Sequence, residues 1–156
     1  MASPLTVDFI NQCKSLIGSQ NVIADPEMLK VYECDALLAL KALPQLVVLP
    51  ETTEQVQALL KLCYSQRIPV VPRGAGTGLT GGALPVADGI VLGLSKMKQI
   101  LAIDPNNRTA RVQAGVRNLA ISEAAKAYGL YYAPDPSSQI ACTIGGNIAQ
   151  NSGGVH

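Results

Sequence analysis

Pro72-Arg73-Gly74-Ala75-Gly76-Thr77-Gly78-Leu79-Thr80-Gly81-Gly82 sets five glycines, at 74, 76, 78, 81 and 82, into nine residues directly after the apolar pair Val70 and Val71. Glycine reaches positive φ without a Cβ clash and lets a ligand approach the main chain, so successive amide N–H groups can turn toward one anion. A diphosphate suits that chemistry. Between Val71 and Leu94 the only charged side chains are Arg73 and Asp88, so the negative charge would be met mainly by backbone dipoles, helped by Arg73. The competing reading is a flexible surface loop, and the apolar residues beside the glycines argue against a solvated linker.

Gly76 to Gly81 also satisfies G-x-G-x-x-G, the pattern of a dinucleotide fold with its pyrophosphate at a helix start. The context rejects it. Pro85 and Asp88-Gly89 break the segment before Ile90 begins a strand, which leaves no room for a helix of useful length, and no acidic residue follows a second strand as that fold requires. A P-loop is excluded because no Gly-Lys-Ser/Thr follows.

Upstream, Leu46-Val47-Val48-Leu49 is a continuous apolar run ended by Pro50, as in a strand buried on both faces. Thr52 and Gln55 form a capping box for a helix carrying Val56, Leu59, Leu60 and Cys63 inward. With Val70 and Val71 this makes a βαβ unit of parallel strands and right-handed crossover. Residues 1–44 read as a helical lead-in. Thr6 caps a helix with Phe9, Ile10, Cys13, Leu16 and Ile17 at helical spacing and Gly18 as its stop, and Asp25-Pro26 opens a second short helix.

Downstream, Ile90 to Leu94 is a third buried strand. Gln99 to Asp104 and Arg108 to Ala114 form an antiparallel hairpin around Pro105, Asn106 and Asn107. Asn118 is expected to cap a helix with Ile121, Ala124, Ala125 and Tyr128 inward, ended by Gly129. The fold class is therefore α+β, a small parallel βαβ lobe followed by an antiparallel lobe.

Composition narrows the function. The 156 residues are 48% hydrophobic, with 12 Lys plus Arg against 11 Asp plus Glu, so no long-range field favours nucleic acid. The first charge is Asp8 and the first basic residue Lys14, and no apolar run approaches a membrane span or a secretory signal. A cytoplasmic location follows. Cys13, Cys34, Cys63 and Cys142 are scattered, with no C-x-x-C, and the only histidine is His156. They read as reduced and structural, and no metal site is expected.

A second loop system runs from Ala133-Pro134-Asp135-Pro136-Ser137-Ser138 through Thr143-Ile144-Gly145-Gly146-Asn147 to Asn151-Ser152-Gly153-Gly154. It is glycine-rich and hydroxyl-rich, and Asp135 is its one acidic group. Taken alone it is a turn-rich segment. Together, and in this order, the two loops resemble the FAD-linked oxidase family, whose flavin domain is also called the vanillyl-alcohol-oxidase or PCMH type. Within it they resemble the glycolate oxidase and D-lactate dehydrogenase branch, nearest its glycolate oxidase flavoprotein subunits. The resemblance extends to Tyr32-Glu33-Cys34-Asp35 and to Gly115 through Ile121.

That resemblance implies a PCMH-type FAD-binding fold over 45–156, with FAD between the two lobes. The first loop would wrap the diphosphate with Gly74, Ala75, Gly76, Thr77 and Gly78, beside Arg73. The second would contact diphosphate and flavin ring through Pro134, Asp135, Ser138, Thr143, Gly145, Gly146, Asn147 and Gly153. Some relatives bind the flavin covalently through a first-loop histidine. Thr77 stands near that place here, so FAD is expected to be non-covalent.

Relatives continue into further flavin-domain strands, a substrate-binding cap and a region supplying the catalytic groups. None of those groups is assigned here. The chain is thus expected to be an amino-terminal, truncated piece that holds FAD without completing a catalytic cycle, and that self-associates through open strand edges or binds FAD weakly. In the intact enzyme the flavin would accept a hydride equivalent from the α-carbon of a 2-hydroxy acid such as glycolate or D-lactate, in company with other oxidase subunits and peripheral to the inner membrane. The alternative from another class is a non-catalytic nucleotide-diphosphate-binding or assembly module.

Overall fold

Local signals fix most of the helix ends. A computed structural model describes residues 4–155, which divide into two compact units, the first ending at Lys96 and the second beginning at Met97. In the first unit α1 spans Val7–Ile17, with Thr6 Oγ1 accepting the Phe9 N–H at 3.1 Å and Gly18, at φ +85°, closing it. Asp25 caps α2, Pro26–Leu29, by accepting the Glu27 and Met28 N–H groups. Thr52 caps α3, Thr53–Ser65, while Gln55 Oε1 returns to the Glu51 N–H at 2.7 Å, one residue earlier than a standard capping box.

Four strands form one sheet: β1 Val22–Ile23, β2 Leu46–Val48, β3 Val70–Arg73 and β4 Ile90–Gly93, in the order β1-β2-β4-β3. β2 and β3 run parallel as the βαβ reading expects, but they are not neighbours. β4 lies between them, with Val47 and Val71 both opposite Val91. All four residues of β4 are buried, so it needs a partner on each side. β3 carries Pro72, which cannot donate to a ladder and belongs at an edge. The Pro69 and Arg73 carbonyls accept from the Ile90 and Leu94 N–H groups, so the main-chain groups of Val70 and Pro72 face away from β4.

Alternation along β2 explains the unbroken apolar run. Leu46 and Val48 join Phe9, Cys13 and Ile17 of α1 and Leu59 and Cys63 of α3 on one face. Val47 and Leu49 meet Leu29 and Val91 on the other. The lead-in is therefore part of this core, and it contributes a strand as well as helices, since β1 pairs antiparallel with β2. Leu60, expected on an inward face, is exposed, as is Leu16 from the helical spacing of α1.

In the second unit β5, Ile100–Asp104, and β6, Thr109–Val112, form the expected antiparallel hairpin. Asp104 closes its turn by accepting the Asn107 N–H at 3.0 Å. α4 spans Asn118–Ala125 and a 3₁₀ turn carries it to Gly129, at φ +68°. Two expectations fail here. Arg117, not Asn118, occupies the cap and makes no side-chain capping bond, while Asn118 is the first helical residue and fully buried; Tyr128, expected inward, is exposed.

Residues read as loop also form a helix, α5, Ile144–Gln150. Two adjacent glycines cost roughly 1 kcal/mol each in a helix, which makes the segment look non-helical. Tertiary bonds outweigh this, as the Ile144 N–H donates to the Val116 carbonyl at 2.8 Å and the Gly145 N–H to the Ala114 carbonyl at 2.9 Å. α5 packs Ile144 against Val116 and Ile121.

No helix among the described residues is long and apolar enough to cross a membrane. All four cysteines are free thiols, and Cys13, Cys63 and Cys142 are buried. Burial pushes the Cys13 thiol up to about 12, with Cys63 adding a smaller repulsion, and pushes Cys63 up to about 11. Folding thus favours the protonated thiols, a contribution complete below the ordinary thiol pKa of 9.0 and lost as pH rises through 11 to 12. Native protein at pH 8 should leave Cys13 and Cys63 unmodified by iodoacetamide, full labelling should require denaturant, and the thermal midpoint should fall as pH is raised above 9. Rapid native labelling of either thiol, read by mass spectrometry, would contradict this.

Candidate functional site

The first glycine loop leaves the carboxyl end of β3, the end at which open α/β sheets collect ligands. None of the five main-chain N–H groups from Gly74 to Gly78 donates a hydrogen bond to a described residue. Backbone donors are almost always satisfied in folded proteins, by solvent or ligand where not by the chain. Gly76 has φ +74°, and a Cβ there would land on the Arg73 guanidinium. Gly78 differs, because a Cβ would meet nothing within 4 Å.

Arg73 is half-buried, and its guanidinium turns back beneath the loop. Nη1 donates to the Cys34 carbonyl at 2.7 Å, and the guanidinium carbon lies 5.7 Å from the centre of the Tyr32 ring. The Ala36 N–H donates to the Gly78 carbonyl at 3.1 Å. The Tyr32 to Asp35 segment, to which the sequence reading assigned no role of its own, therefore braces the loop. Asp35 is 4% exposed; Oδ1 accepts the Leu37 N–H at 2.9 Å, and Oδ2 is sealed without a partner.

In the second unit Pro134 and Asn147 are brought together by a residue that the sequence suggested only as a helix cap. Asn118 Nδ2 donates to the Pro134 carbonyl at 2.9 Å, and Asn118 Oδ1 accepts from Asn147 Nδ2 at 2.8 Å. The missed signal was spacing, since 118, 121 and 125 share one helix face and all three are buried. Asp135 folds onto the chain end: its N–H donates to the Gly153 carbonyl and its Oδ1 accepts the Val155 N–H, both at 2.9 Å. The Ser138 carbonyl accepts the Ala141 and Cys142 N–H groups, each at 2.8 Å.

Thr143 stands at the cap of α5, but its Oγ1 is buried and bonds nothing. The N–H groups of Gly146 and Gly153 donate to no described residue, whereas Gly145 uses its N–H on Ala114. Each unit thus presents unsatisfied main-chain donors beside glycines that leave space, which fits a ligand of phosphate and hydroxyl groups. Among the described residues no group of three or more His, Cys, Asp and Glu converges as a metal site would need.

A family model described as an FAD binding domain matches residues 44–156. The chain belongs to this family of FAD-binding domains, and its fold is the PCMH-type α+β fold. Among curated relatives it is similar to glycolate oxidase subunit GlcD of Escherichia coli, 58% identical over 139 residues, covering 89% of this chain and 28% of that protein. D-lactate dehydrogenase of Anaerostipes hadrus is 38% identical, over 97% of this chain and 32% of that protein. The chain thus spans about a third or less of the length of these relatives. The structure of an alkyldihydroxyacetonephosphate synthase superposes with a TM-score of 0.87 at 23% identity, over 99% of this chain and 34% of the other.

Close backbone approach explains Gly145: an added Cβ would stand 2.9 Å from the Ala114 Cβ and 3.0 Å from the Ala114 carbonyl oxygen. Gly145→Ala should therefore destabilise the protein by about 1–3 kcal/mol in a denaturant titration. A loss below about 0.5 kcal/mol would mean that α5 is free to move off Ala114.

Proposed function

We propose that the chain holds FAD non-covalently, with the Gly74, Ala75, Gly76, Thr77 and Gly78 amides on the diphosphate and Arg73 shaping and electrically supporting that loop. Pro134, Asp135, Ser138, Thr143, Gly145, Gly146, Asn147 and Gly153 form the second contact region. The observation that carries this reading is the run of five consecutive amide donors with no partner among the described residues. The first loop contains no histidine, which supports a non-covalent attachment made of dipolar contacts.

In the whole protein, bound FAD supplies a two-electron acceptor, and the substrate is a 2-hydroxy acid oxidised to the 2-oxo acid. The support is the names of the relatives, glycolate oxidase and D-lactate dehydrogenase. The name of the former as a subunit supports assembly with other oxidase subunits, and a cytoplasmic location goes with that reading. The residues of this chain bind and orient the cofactor; among the described residues none is assigned as an acid or base for the substrate.

Two measurements test this. Titration of the protein with FAD should quench flavin fluorescence along a saturable curve that reaches one FAD per chain at saturation. Gly78→Val should leave the unfolding midpoint of the cofactor-free protein unchanged, because the Cβ enters open space, yet weaken FAD about tenfold or more by crowding donors to a charged group. Unchanged FAD affinity in that variant would remove the first loop from the site. For the whole protein, anaerobic glycolate or D-lactate should bleach the flavin; failure with every short 2-hydroxy acid would overturn the substrate class.

A further inference from the structure

The polarity of the Asn118 hub fixes what Asn147 can offer a ligand. A proline carbonyl has lone pairs and no proton, so the Asn118 atom 2.9 Å from Pro134 O must be the amide nitrogen. The other end of the Asn118 amide, its oxygen, is then the atom that meets Asn147 at 2.8 Å. An oxygen there requires a donor, so Asn147 presents Nδ2. Asn147 Oδ1 consequently points away from the hub.

Burial makes this order rigid. Asn118 is 0% exposed and Asn147 7%. Turning the Asn147 amide over would set two carbonyl oxygens face to face, and turning Asn118 to compensate would set its oxygen against Pro134 O. Either change leaves buried acceptors without donors. Asn147 Oδ1 itself accepts from no described residue, and it is not one of the two sealed, unsatisfied side-chain atoms, which are Asp35 Oδ2 and Thr143 Oγ1. It therefore retains access to the surface.

Resting on the FAD reading above, we infer that Asn147 meets the cofactor with its carbonyl oxygen. The ligand group that Oδ1 faces is then a hydrogen-bond donor, a hydroxyl or the imide N–H of the flavin ring, because an oxygen of a phosphate would set two acceptors against each other. Asn118 touches no ligand. It is a positioning residue that sets the direction of the Asn147 amide.

Flavin fluorescence titration of wild type and Asn147→Leu, with inorganic pyrophosphate as competitor, tests the inference. The substitution removes the acceptor and should weaken FAD about tenfold, while the pyrophosphate inhibition constant stays within about twofold. A parallel loss of pyrophosphate affinity places Asn147 on the phosphates and overturns the inference, as does an FAD affinity unchanged by the substitution.

The side-chain amide resonances of the ¹⁵N-labelled wild-type protein decide the matter should the variant fail to fold or pyrophosphate fail to compete. The one Asn147 Nδ2 proton that is held by Asn118 Oδ1 should keep its shift and slow exchange when FAD is added, because it stays in that bond. A large shift of that hub proton on FAD addition overturns the inference. A wild-type protein that binds no FAD at all is a different result, and sinks the cofactor reading itself.

Discussion

Main-chain pairing of β4 with β2 on one side and β3 on the other is the constraint from which the first unit follows. It sends β3 to the sheet edge and obliges the chain to travel from the end of β3 back to the start of a parallel neighbour. Such returns normally use a helix. Here residues 74–89 make the journey as turns and bends, so the peptide groups of the connection are not consumed by helical bonds. The amides of Gly74 to Gly78 are left with donors to place, and an anion is the partner that can take several at once.

Much of this was legible in the chain because it is local chemistry. The caps at Thr6, Asp25 and Thr52, the stop at Gly18 and the hairpin turn at Asn107 are set by residues within a few positions of one another. Strand order was not legible, since an apolar run announces a buried strand without naming its neighbours, and β1 is too short to show a period. α5 was hidden by its glycines, whose low helix propensity is overridden by the contact with Ala114. The first loop could be read as a candidate anion cradle because that reading depends on main-chain donors freed by glycine. Asn118 and the Tyr32 to Asp35 brace could not, because their roles depend on partners 16 to 39 residues away. Composition and spacing pointed to a phosphate, and only the likeness to known flavoproteins named the cofactor.

The two units solve the same problem with different materials. The first has a broad apolar core on both faces of a sheet, and its loop is braced by one arginine and a few main-chain bonds. Among the described residues the apolar cluster of the second is the smaller one of Val116, Ile121 and Ile144, so directional bonds count for more there. A buried asparagine costs stability unless every bond is made, and for that reason it tolerates one arrangement. Segments far apart in sequence are thus held in register by hydrogen-bond polarity rather than by shape alone.

Pro72 gives the outer side of β3 a further property. An incoming strand would find one N–H, at Val70, and then a pyrrolidine ring where the next outward donor should stand. Sheet growth on that flank is interrupted one residue before the glycine-rich connection begins. The protein can therefore keep a sparsely charged, glycine-rich loop at a sheet margin without turning that margin into a seed for aggregation.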